Sequence, residues 1–461
     1  MPERKLCFSS ALLPSGWHDD VVVHLDGAGS IVSVETPKRP QDGARLNGIA
    51  VPGVANVHSH AHQRAMVGLA ERSGPGADSF WTWREAMYGF ALAMQPEDLE
   101  AVAAQLYVEA LKSGFTAVGE FQYLHHQPDG SPYDEPAEMS LRCLAGAERA
   151  GIAVTMLPTL YAYGGFGGQP PAEAQRRFIN KADSFLGIVE NLASAMGKSH
   201  MRRLGMSPHS LRAVTKVLLD EVIAGLDRLD RQAPIHIHVA EQVKEVEDCM
   251  SWCGRRPVEH LLESFDVSPR WCAIHATHMS DDETASLTRS GAVAGLCPTT
   301  EANLGDGTFP AAAFLDAAGA IAIGSDSQVT VSPAEDLRQL EYSQRLAHRA
   351  RNVLAGAPHR STGRRLLEAV THGGAQALGQ PMGAIAPGMR CDIVVLDPDH
   401  PALIGRSGDE AVDSWIFSGG AACVKDMIVG GEIVIRERQH SRQDEILRDF
   451  RSAIGRLRDR Q

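Results

Sequence analysis

The sequence predicts a (β/α)8 barrel of the TIM type, joined to a smaller β domain that is built from both ends of the chain. From residue 48 onward, short apolar runs alternate with longer segments of helical periodicity, which is the pattern of strand–helix units around a parallel sheet. Histidine and carboxylate residues follow four of these runs, and the strand ends of such a barrel carry its reactive side chains. Strand-like segments before and after this region predict the β domain.

The β domain is predicted from strand signals that occupy the first 50 residues and return after residue 380. In both parts, apolar and polar side chains alternate with a period of two, as in a half-buried strand. The pair Gly430-Gly431 suits a tight hairpin turn between two of these strands. The predicted domains are a composite β-sandwich from 1–50 plus 381–440, a barrel from 51–380, and a C-terminal helix from 441–461.

The barrel strands are predicted from eight apolar runs. The fourth run is the least regular, and a long insert at 170–197 follows the third. The predicted strands are 49–58, 115–120, 152–157, 203–207, 235–239, 272–275, 293–297 and 320–326. Helical segments between and after them include 96–113, 137–150, 216–229, 281–289 and 364–378.

Composition limits the classes of function that fit the chain. The 44 Lys and Arg residues against 57 Asp and Glu residues give a net charge of -13, which argues against nucleic-acid partners and attraction to anionic membranes. The chain shows neither a signal peptide nor an apolar run of about 18 residues, so no membrane span is predicted. The 8 cysteines form no CxxC pair, which predicts a reduced, cytoplasmic chain with buried thiols.

Four predicted strand ends carry potential metal ligands. His58 and His60 are two residues apart, so on a strand both imidazoles point the same way. His238 ends the fifth strand, His275 the sixth and Asp326 the eighth. We expect these groups to meet at the barrel mouth and to bind a divalent metal ion. The competing interpretation of the first stretch is a polar loop whose histidines are satisfied locally.

Two neighbouring histidines are predicted to take no part in metal binding. His236 points away from His238 on the same strand, so it should pack or hydrogen-bond behind the barrel wall. His62 lies beyond the end of the first strand and is expected to be a neighbour of the site rather than a ligand.

These motifs resemble the amidohydrolase superfamily, and more narrowly its deaminases with one metal. The resemblance rests on His58-Ser59-His60, on His238 with the HxxE step to Glu241, and on His275 and Asp326. Residues 383–395 are in addition similar to the composite β-sandwich of that superfamily. Two-metal relatives often carry a bridging carboxylated lysine at the end of strand four. Here Lys198 precedes that strand, so one metal is expected.

The resemblance also implies a role for each residue of the site. His58, His60, His238 and Asp326 would hold one divalent ion, with zinc expected and iron or manganese as alternatives. Asp326 would also take the proton of the attacking water, and His275 would orient the resulting hydroxide. Glu241 would carry a proton to the leaving nitrogen.

Longer strings narrow the resemblance to the formimidoylglutamate deiminases. These enzymes hydrolyse N-formimino-L-glutamate to N-formyl-L-glutamate and ammonia in histidine degradation. The strings are 56–66, 80–84, 120–126 and 297–307. The resemblance implies a small substrate whose carboxylates are held by Gln63, Arg84, Tyr123, His209 and Arg212, and arginine forks match carboxylates well.

Two positions depart from the pattern of these enzymes, which more usually carry an aromatic residue at 62 and a histidine at 122, where this chain has His62 and Gln122. Members of the superfamily are often dimers, so a homodimer is expected.

Two alternatives remain open at this point. An aminopurine or aminopyrimidine deaminase, such as a guanine deaminase, would share the metal site but would need aromatic stacking walls and few carboxylate-binding arginines. A metal-free barrel that serves as a scaffold would be expected to have lost ligands, whereas every expected ligand is present here.

Overall fold

Two sheets organise the chain, and strands from both ends of the sequence meet in one of them. The computed structural model describes residues 4–37, 44–71, 80–358 and 360–460, without the side chains of residues 44, 80–82, 85 and 86. The strands are β1 (Arg4–Leu13), β2 (Gly16–Leu25), β3 (Ile31–Glu35), β4 (Ala44–Pro52), β5 (Val54–Ser59), β6 (Phe115–Gln122), β7 (Ala153–Leu160), β8 (Arg202–Leu204), β9 (Ser207–Pro208), β10 (Ile235–Val239), β11 (Trp271–His275), β12 (Val293–Leu296), β13 (Ala320–Ile323), β14 (Ile393–Leu396), β15 (Val424–Val429), β16 (Glu432–Arg436) and β17 (Gln439–His440).

The helices cover the outside of the parallel sheet and extend along the C-terminal part of the chain. They are α1 (Phe80–Ala93), α2 (Pro96–Ser113), α3 (Glu138–Ala150), α4 (Ala182–Met196), α5 (Lys216–Leu229), α6 (Val243–Cys253), α7 (Pro257–Ser264), α8 (Asp281–Ser290), α9 (Pro298–Leu304), α10 (Ala311–Asp316), α11 (Pro333–His348), α12 (Thr362–Leu378), α13 (Asp409–Ser414) and α14 (Gln443–Asp459). No helix in the described ranges is long and apolar enough to cross a membrane.

The parallel sheet confirms the predicted barrel. Its strands follow the order β10-β11-β12-β13-β5-β6-β7-β8, and β9 pairs with β7 beyond β8. Parallel bridges from Met206 to Ile235 and from Ser210 to His238 connect the fourth position to β10 and close the ring. All eight predicted runs contribute to this sheet, with helices between them, as a (β/α)8 barrel requires.

The first predicted barrel strand, 49–58, is wrong as a single element. Pro52 ends β4, which belongs to the other sheet, and Val54 begins β5 in the barrel. Gly53 lies between the two strands. Glycine is required at this position, because a Cβ there would lie 2.4 Å from the Thr116 side chain. An apolar run that is buried on both faces hides such a change of sheet, since both halves are equally hydrophobic. The fourth predicted strand is likewise divided into β8 and β9.

The second sheet has eight strands in the order β17-β16-β15-β14-β4-β1-β2-β3. Its centre joins the two ends of the chain, because β4 pairs antiparallel with β14 from Ile49–Leu396 to Pro52–Ile393. Arg390 connects this sheet to the segment that precedes the barrel strand β8. Its buried guanidinium pairs with Asp392 and donates a hydrogen bond of 2.7 Å to the carbonyl of His200. A composite β domain therefore accompanies the barrel, as predicted.

Helix α12 lies directly against the barrel strands β5 and β13. A Cβ at Gly373 would approach the carbonyl oxygen of Ile321 to 2.0 Å, so the close contact requires glycine there. The His372-Gly373-Gly374 string thus serves packing of the barrel wall.

Candidate metal and substrate site

Residues from three strand ends of the barrel converge on one point. The Nε2 atoms of His58 and His238 are 3.0 Å apart, and Asp326 Oδ1 lies 3.5 Å from His58 Nε2 and 3.4 Å from His60 Nε2. All four side chains are buried. Three sets of neighbouring ligand atoms among the described residues could hold a metal ion, and two of them share His58. These two are His58–His60–Asp326 and His58–His238–His275, and the third is His275–Cys297–Glu301. The structure thus brings the four predicted ligands together.

The hydrogen bonds around these histidines leave lone pairs pointing at the shared point. His60 Nδ1 donates to the carbonyl of Phe121 at 3.0 Å, and His238 Nδ1 donates to the carbonyl of His209 at 2.8 Å. Burial lowers the pKa of His58, His60 and His238, so their imidazoles are neutral. Neutral rings that donate through Nδ1 carry a lone pair at Nε2, as metal ligands do.

The spacing of these atoms fits a tetrahedral metal ion. Bonds of 2.0–2.1 Å to nitrogen and oxygen place neighbouring ligand atoms about 3.3 Å apart in such a site. The observed separations of 3.0, 3.4 and 3.5 Å bracket this value. Without a cation, two facing lone pairs and a carboxylate would repel one another. The donor set is therefore suited to a divalent ion such as zinc.

Strained backbone accompanies the site. His275 has a φ of 67° and Asp326 a φ of 50°, in the left-handed region that side chains with a Cβ rarely adopt. Ala240, which precedes Glu241, has a φ of 52°. Such residues cost stability and cluster where side chains must be aimed at a ligand. All three occur at the end of a barrel strand or within three residues after it.

The predicted acid–base residues lie beside the ligands. His275 Nε2 is 3.9 Å from Glu241 Oε1 and 3.8 Å from Asp326 Oδ2. His275 Nδ1 lies 3.2 Å from Glu301 Oε1, which also accepts the backbone N–H of Cys297. Burial lowers the pKa of His275, but the nearby carboxylates, Glu241 first, outweigh it and raise that pKa. A protonated His275 can therefore donate hydrogen bonds from both ring nitrogens.

The carboxyl group of Glu241 is buried next to two cationic groups. Burial raises its pKa, although His275 and Arg212 pull the pKa in the opposite direction. The backbone N–H of Glu241 donates to Glu245 Oε2 at 3.3 Å, which fixes the turn that carries it. An acid whose pKa is raised in this way can both accept and release a proton near neutral pH.

Glu120 supports the first pair of histidines and had no predicted role. It accepts hydrogen bonds from the Ser59 hydroxyl at 2.7 Å, from the backbone of Ala61 at 2.8 Å and from the Tyr107 hydroxyl at 3.0 Å. Two of these donors, Ser59 and Ala61, are the chain neighbours of His60. Burial raises the pKa of Glu120 to about 7. The available signal was its place at the end of the second barrel strand, where polar residues are functional.

The five predicted substrate contacts line one cavity. It encloses about 630 Å³ together with its mouth, and His60, His238, Glu241 and Asp326 also line it. Gln63 Nε2 donates to the Tyr123 hydroxyl at 3.0 Å. Among the described residues, the buried Gln63 Oε1 and Arg212 Nε have no hydrogen-bond partner. Buried polar atoms of this kind are candidates for ligand contacts.

Arg212 is held by a buried carboxylate behind it. Its Nη2 lies 3.9 Å from Glu245 Oε2, and burial opposes its charge while Glu245 and Glu241 raise its pKa. His209 stays neutral, because burial and then Arg212 lower its pKa. Glu245 was also missed by the sequence analysis, although it lies one helical turn after Glu241.

The residues predicted to be bystanders lie beside the ligand cluster or behind the barrel wall. His236 Nε2 contacts the carbonyl of Ala377 at 2.8 Å, behind the barrel wall as predicted. His62 packs edge-on against the Tyr123 ring, with centroids 4.8 Å apart. Gln122 contacts Cys143 and the backbone of Leu124, so it fixes the loop rather than the cavity.

The cavity also has an aromatic wall that the sequence analysis did not predict. Tyr88 of α1, Tyr161 after β7 and Phe178 line it together with Trp83. Phe178 belongs to the 170–197 insert. Nearby Arg177 donates to the carbonyls of Ala91 and Met94, at the end of α1, and so joins the insert to that helix. Contacts between such distant segments leave no local pattern in the sequence.

A family model and individual sequence relatives each match most of the chain. The model described as the amidohydrolase family matches residues 49–434. A formimidoylglutamate deiminase of Pseudomonas aeruginosa is 49% identical over 451 residues, which cover 97% of this chain and 98% of that protein. A 5-methylthioadenosine/S-adenosylhomocysteine deaminase of Natronomonas pharaonis is 26% identical over 395 residues, covering 85% of this chain and 82% of that protein.

Solved structures agree with the sequence relatives. An amidohydrolase from Brucella melitensis superposes with a TM-score of 0.92 at 50% identity, covering 98% of this chain and 99% of that chain. An adenosine deaminase from Xanthomonas campestris with bound zinc gives a TM-score of 0.81 at 19% identity, covering 99% of this chain and 98% of that chain, which shows a shared fold. Since the family model spans most of the sequence and these relatives extend over nearly all of it, the chain belongs to the amidohydrolase family.

Proposed function

We propose that the protein hydrolyses N-formimino-L-glutamate to N-formyl-L-glutamate and ammonia. The observation that carries this proposal is that two arginines, Arg84 and Arg212, line the same cavity as the acid–base group Glu241. Guanidinium groups bind carboxylates through paired hydrogen bonds, so the cavity favours a dianionic substrate over a flat neutral base. The relative that is 49% identical carries the name of this activity, which supports the same substrate.

We infer that one divalent ion, with zinc as the expected metal, is held by His58, His60, His238 and Asp326. The neutral imidazoles and the ligand spacing described above support this set. When bound, such an ion lowers the pKa of a coordinated water to about 7 and so supplies a nucleophile at neutral pH. Iron and manganese accept the same donor types, and elemental analysis of the purified protein distinguishes them from zinc.

The chain's own residues orient the substrate and move the protons. Arg84 and Arg212 hold the two carboxylates, and Tyr123, His209 and Gln63 complete the contacts. Holding the formimino carbon next to the attacking water turns a bimolecular reaction into a step within one complex. In well-oriented cases this lowers the activation free energy by about 7 kcal/mol.

Proton transfer then completes the hydrolysis. Asp326 takes one proton from the attacking water as its oxygen bonds to the formimino carbon. His275 donates a hydrogen bond to that oxygen, and Glu241 delivers a proton to the imino nitrogen. The proton held by Asp326 then passes to the same nitrogen and the bond between the formimino carbon and that nitrogen breaks. The second hydrogen of the water returns to Glu241, so both carboxyl groups recover their starting state. Water contributes the oxygen of the new formyl group and two hydrogens in total, and the products are N-formyl-L-glutamate and ammonia.

A substrate comparison tests the proposal directly. Purified protein is expected to release ammonia from N-formimino-L-glutamate and to leave guanine intact, because guanine offers no carboxylate to the arginines. Ammonia is measured with a coupled assay at equal substrate concentrations. Turnover of guanine without turnover of N-formimino-L-glutamate would instead support the aminopurine deaminase alternative.

Metal content provides a second test. The purified protein should contain about one divalent ion per chain, and His238→Asn should lower that content and the activity together, since it removes one of four ligands. His348→Asn, on the exposed end of α11, is the matched control and should retain both. Elemental analysis and the ammonia assay give the two readouts. Two ions per chain, or full activity without any ion, would contradict the assignment.

The proposal also covers the cellular setting and the assembly of the protein. The proposed reaction belongs to histidine degradation. All eight cysteines are free thiols, which agrees with a reducing compartment such as the cytoplasm. A homodimer is proposed from the family resemblance, and light scattering measures it. The proposed division into 1–50 plus 381–440, 51–380 and 441–461 is supported by the two sheets, with β4 running past the first boundary to Pro52.

A further inference from the structure

Two tyrosine hydroxyls lie together on the wall of the substrate cavity. Tyr161 follows β7, and Tyr88 lies on α1, and both line the cavity with Arg84 and Arg212. The guanidinium of Arg84 lies over the Tyr88 ring, 5.7 Å from its centroid. The tyrosine pair is thus adjacent to a group that the proposed function assigns to a substrate carboxylate.

Gln175 of the 170–197 insert fixes the direction of the hydrogen bonds at this pair. Its Nε2 donates to the Tyr161 hydroxyl at 2.6 Å and to the Tyr88 hydroxyl at 3.3 Å. Its Oε1 accepts the backbone N–H of Ala172 at 2.7 Å. A rotated amide would place its NH₂ group against that N–H, so only this orientation satisfies the side chain. Both hydroxyls therefore act as acceptors towards Gln175.

A count of hydrogens shows what is left for a ligand. The two hydroxyls carry two hydrogens, and the contact between Tyr161 and Tyr88 uses one at most. Among the described residues, neither hydroxyl donates to any further protein acceptor. At least one hydroxyl hydrogen therefore has no acceptor among the described protein groups, in a cavity that two guanidinium groups make favourable for anions.

We propose that Tyr161 and Tyr88 donate a hydrogen bond to a carboxylate of the substrate, and that Gln175 is the positioning residue that turns their hydroxyls towards it. This inference rests on the proposed function for the identity of the substrate. The proposal gives the 170–197 insert a role in substrate specificity, because a substrate without a carboxylate offers the tyrosine hydroxyls no charged acceptor. Phenol donors recognise a carboxylate through short O–H···O⁻ bonds, which are stronger than bonds between neutral groups.

The test compares Tyr161→Phe, Tyr88→Phe, the double variant and Gln175→Leu with the wild type. A hydrogen bond to a charged group is worth roughly 1.5–3 kcal/mol, so the double variant should raise KM for N-formimino-L-glutamate about tenfold or more, with kcat nearly unchanged. Gln175→Leu should raise KM less, since the hydroxyls remain but lose their orientation. Formamidine, which lacks carboxylates, should be hydrolysed by all variants as by the wild type. Tyr342→Phe, a surface tyrosine that stacks on Phe417, is the control.

Binding of N-formyl-L-glutamate, measured by calorimetry, separates this inference from the proposed function. Weaker binding in the double variant supports the tyrosine donors even if the wild type fails to turn over N-formimino-L-glutamate, a failure that would contradict the proposed function alone. Unchanged binding and KM in the double variant would overturn the inference. An equal loss of activity towards formamidine would also overturn it, because the variants would then act through general damage to the site. A wild type that binds no dicarboxylate would contradict both.

Discussion

Replacing Glu241 by glutamine should lower kcat for N-formimino-L-glutamate by about 10²- to 10⁴-fold, the usual contribution of one general acid–base group. Glutamine has nearly the same shape, but it cannot accept a proton and deliver it to the leaving nitrogen. The Glu241 carboxyl lies 3.9 Å from His275 and lines the cavity with Arg212. Asp326, the other carboxylate beside His275 Nε2, belongs to the proposed ligand set. Steady-state ammonia release measures kcat and KM separately.

The control for this variant lies on the same stretch of chain. Glu247→Gln makes the same chemical change at an exposed position of α6 and should leave kcat unchanged. Metal content should be equal in both variants, since neither residue belongs to the proposed ligand set. A loss below tenfold in Glu241→Gln would mean that another group carries the proton. Loss of metal in that variant would assign Glu241 to the metal site.

Replacing Arg212 by methionine should lower kcat/KM for N-formimino-L-glutamate by about tenfold to 150-fold, which corresponds to the roughly 1.5–3 kcal/mol of one hydrogen-bonded charged contact. Arg212 is a mostly buried arginine of the cavity, with 15% of its side chain exposed, and Glu245 lies 3.9 Å from it. Methionine fills a similar volume but provides no donors for a carboxylate. The loss should be confined to substrates with carboxylates, so kcat/KM for formamidine serves as the comparison within the same protein.

Stability must be followed alongside, because the change leaves the Glu245 carboxylate buried without its cation. A lower melting temperature, together with an unchanged ratio of kcat/KM for N-formimino-L-glutamate to kcat/KM for formamidine, would contradict the role of Arg212 in binding. Arg228→Met is the control, because it changes an exposed arginine on α5. It should alter neither the ratio of the two kcat/KM values nor the melting temperature.

The strand ends explain why so much of the site could be predicted from the sequence. His58, His60, His238 and Asp326 each follow an apolar run, and the geometry of a parallel barrel brings such ends together whatever the intervening helices do. Local hydrophobic patterns therefore predicted the fold class and the meeting of these groups with His275 at the barrel mouth, and the resemblance selected the four ligands among them. The substrate contacts followed from resemblance, and their chemistry from the ability of arginine to bind carboxylates.

The residues that were missed act from behind the site or from distant segments. Glu120 and Glu245 hold backbone N–H groups of the site, which gives them no distinctive spacing in the sequence. Tyr161 and Gln175 become meaningful only when the insert folds against the end of β7. The misassigned strand at 49–58 has a different cause, because burial on both faces makes the two halves around Gly53 look alike.

The sheet shared by both chain ends has a consequence for synthesis of the protein. Strand β4 leaves the ribosome about 340 residues before its neighbour β14, since their paired residues include Val51 and Val394. During that interval one edge of β4 has no partner, and an open edge can pair with another chain. The barrel segment is therefore synthesised while the sheet beside it is still incomplete. Arrival of β14, with the Arg390–Asp392 pair just before it, closes that edge and joins the finished sheet to the barrel.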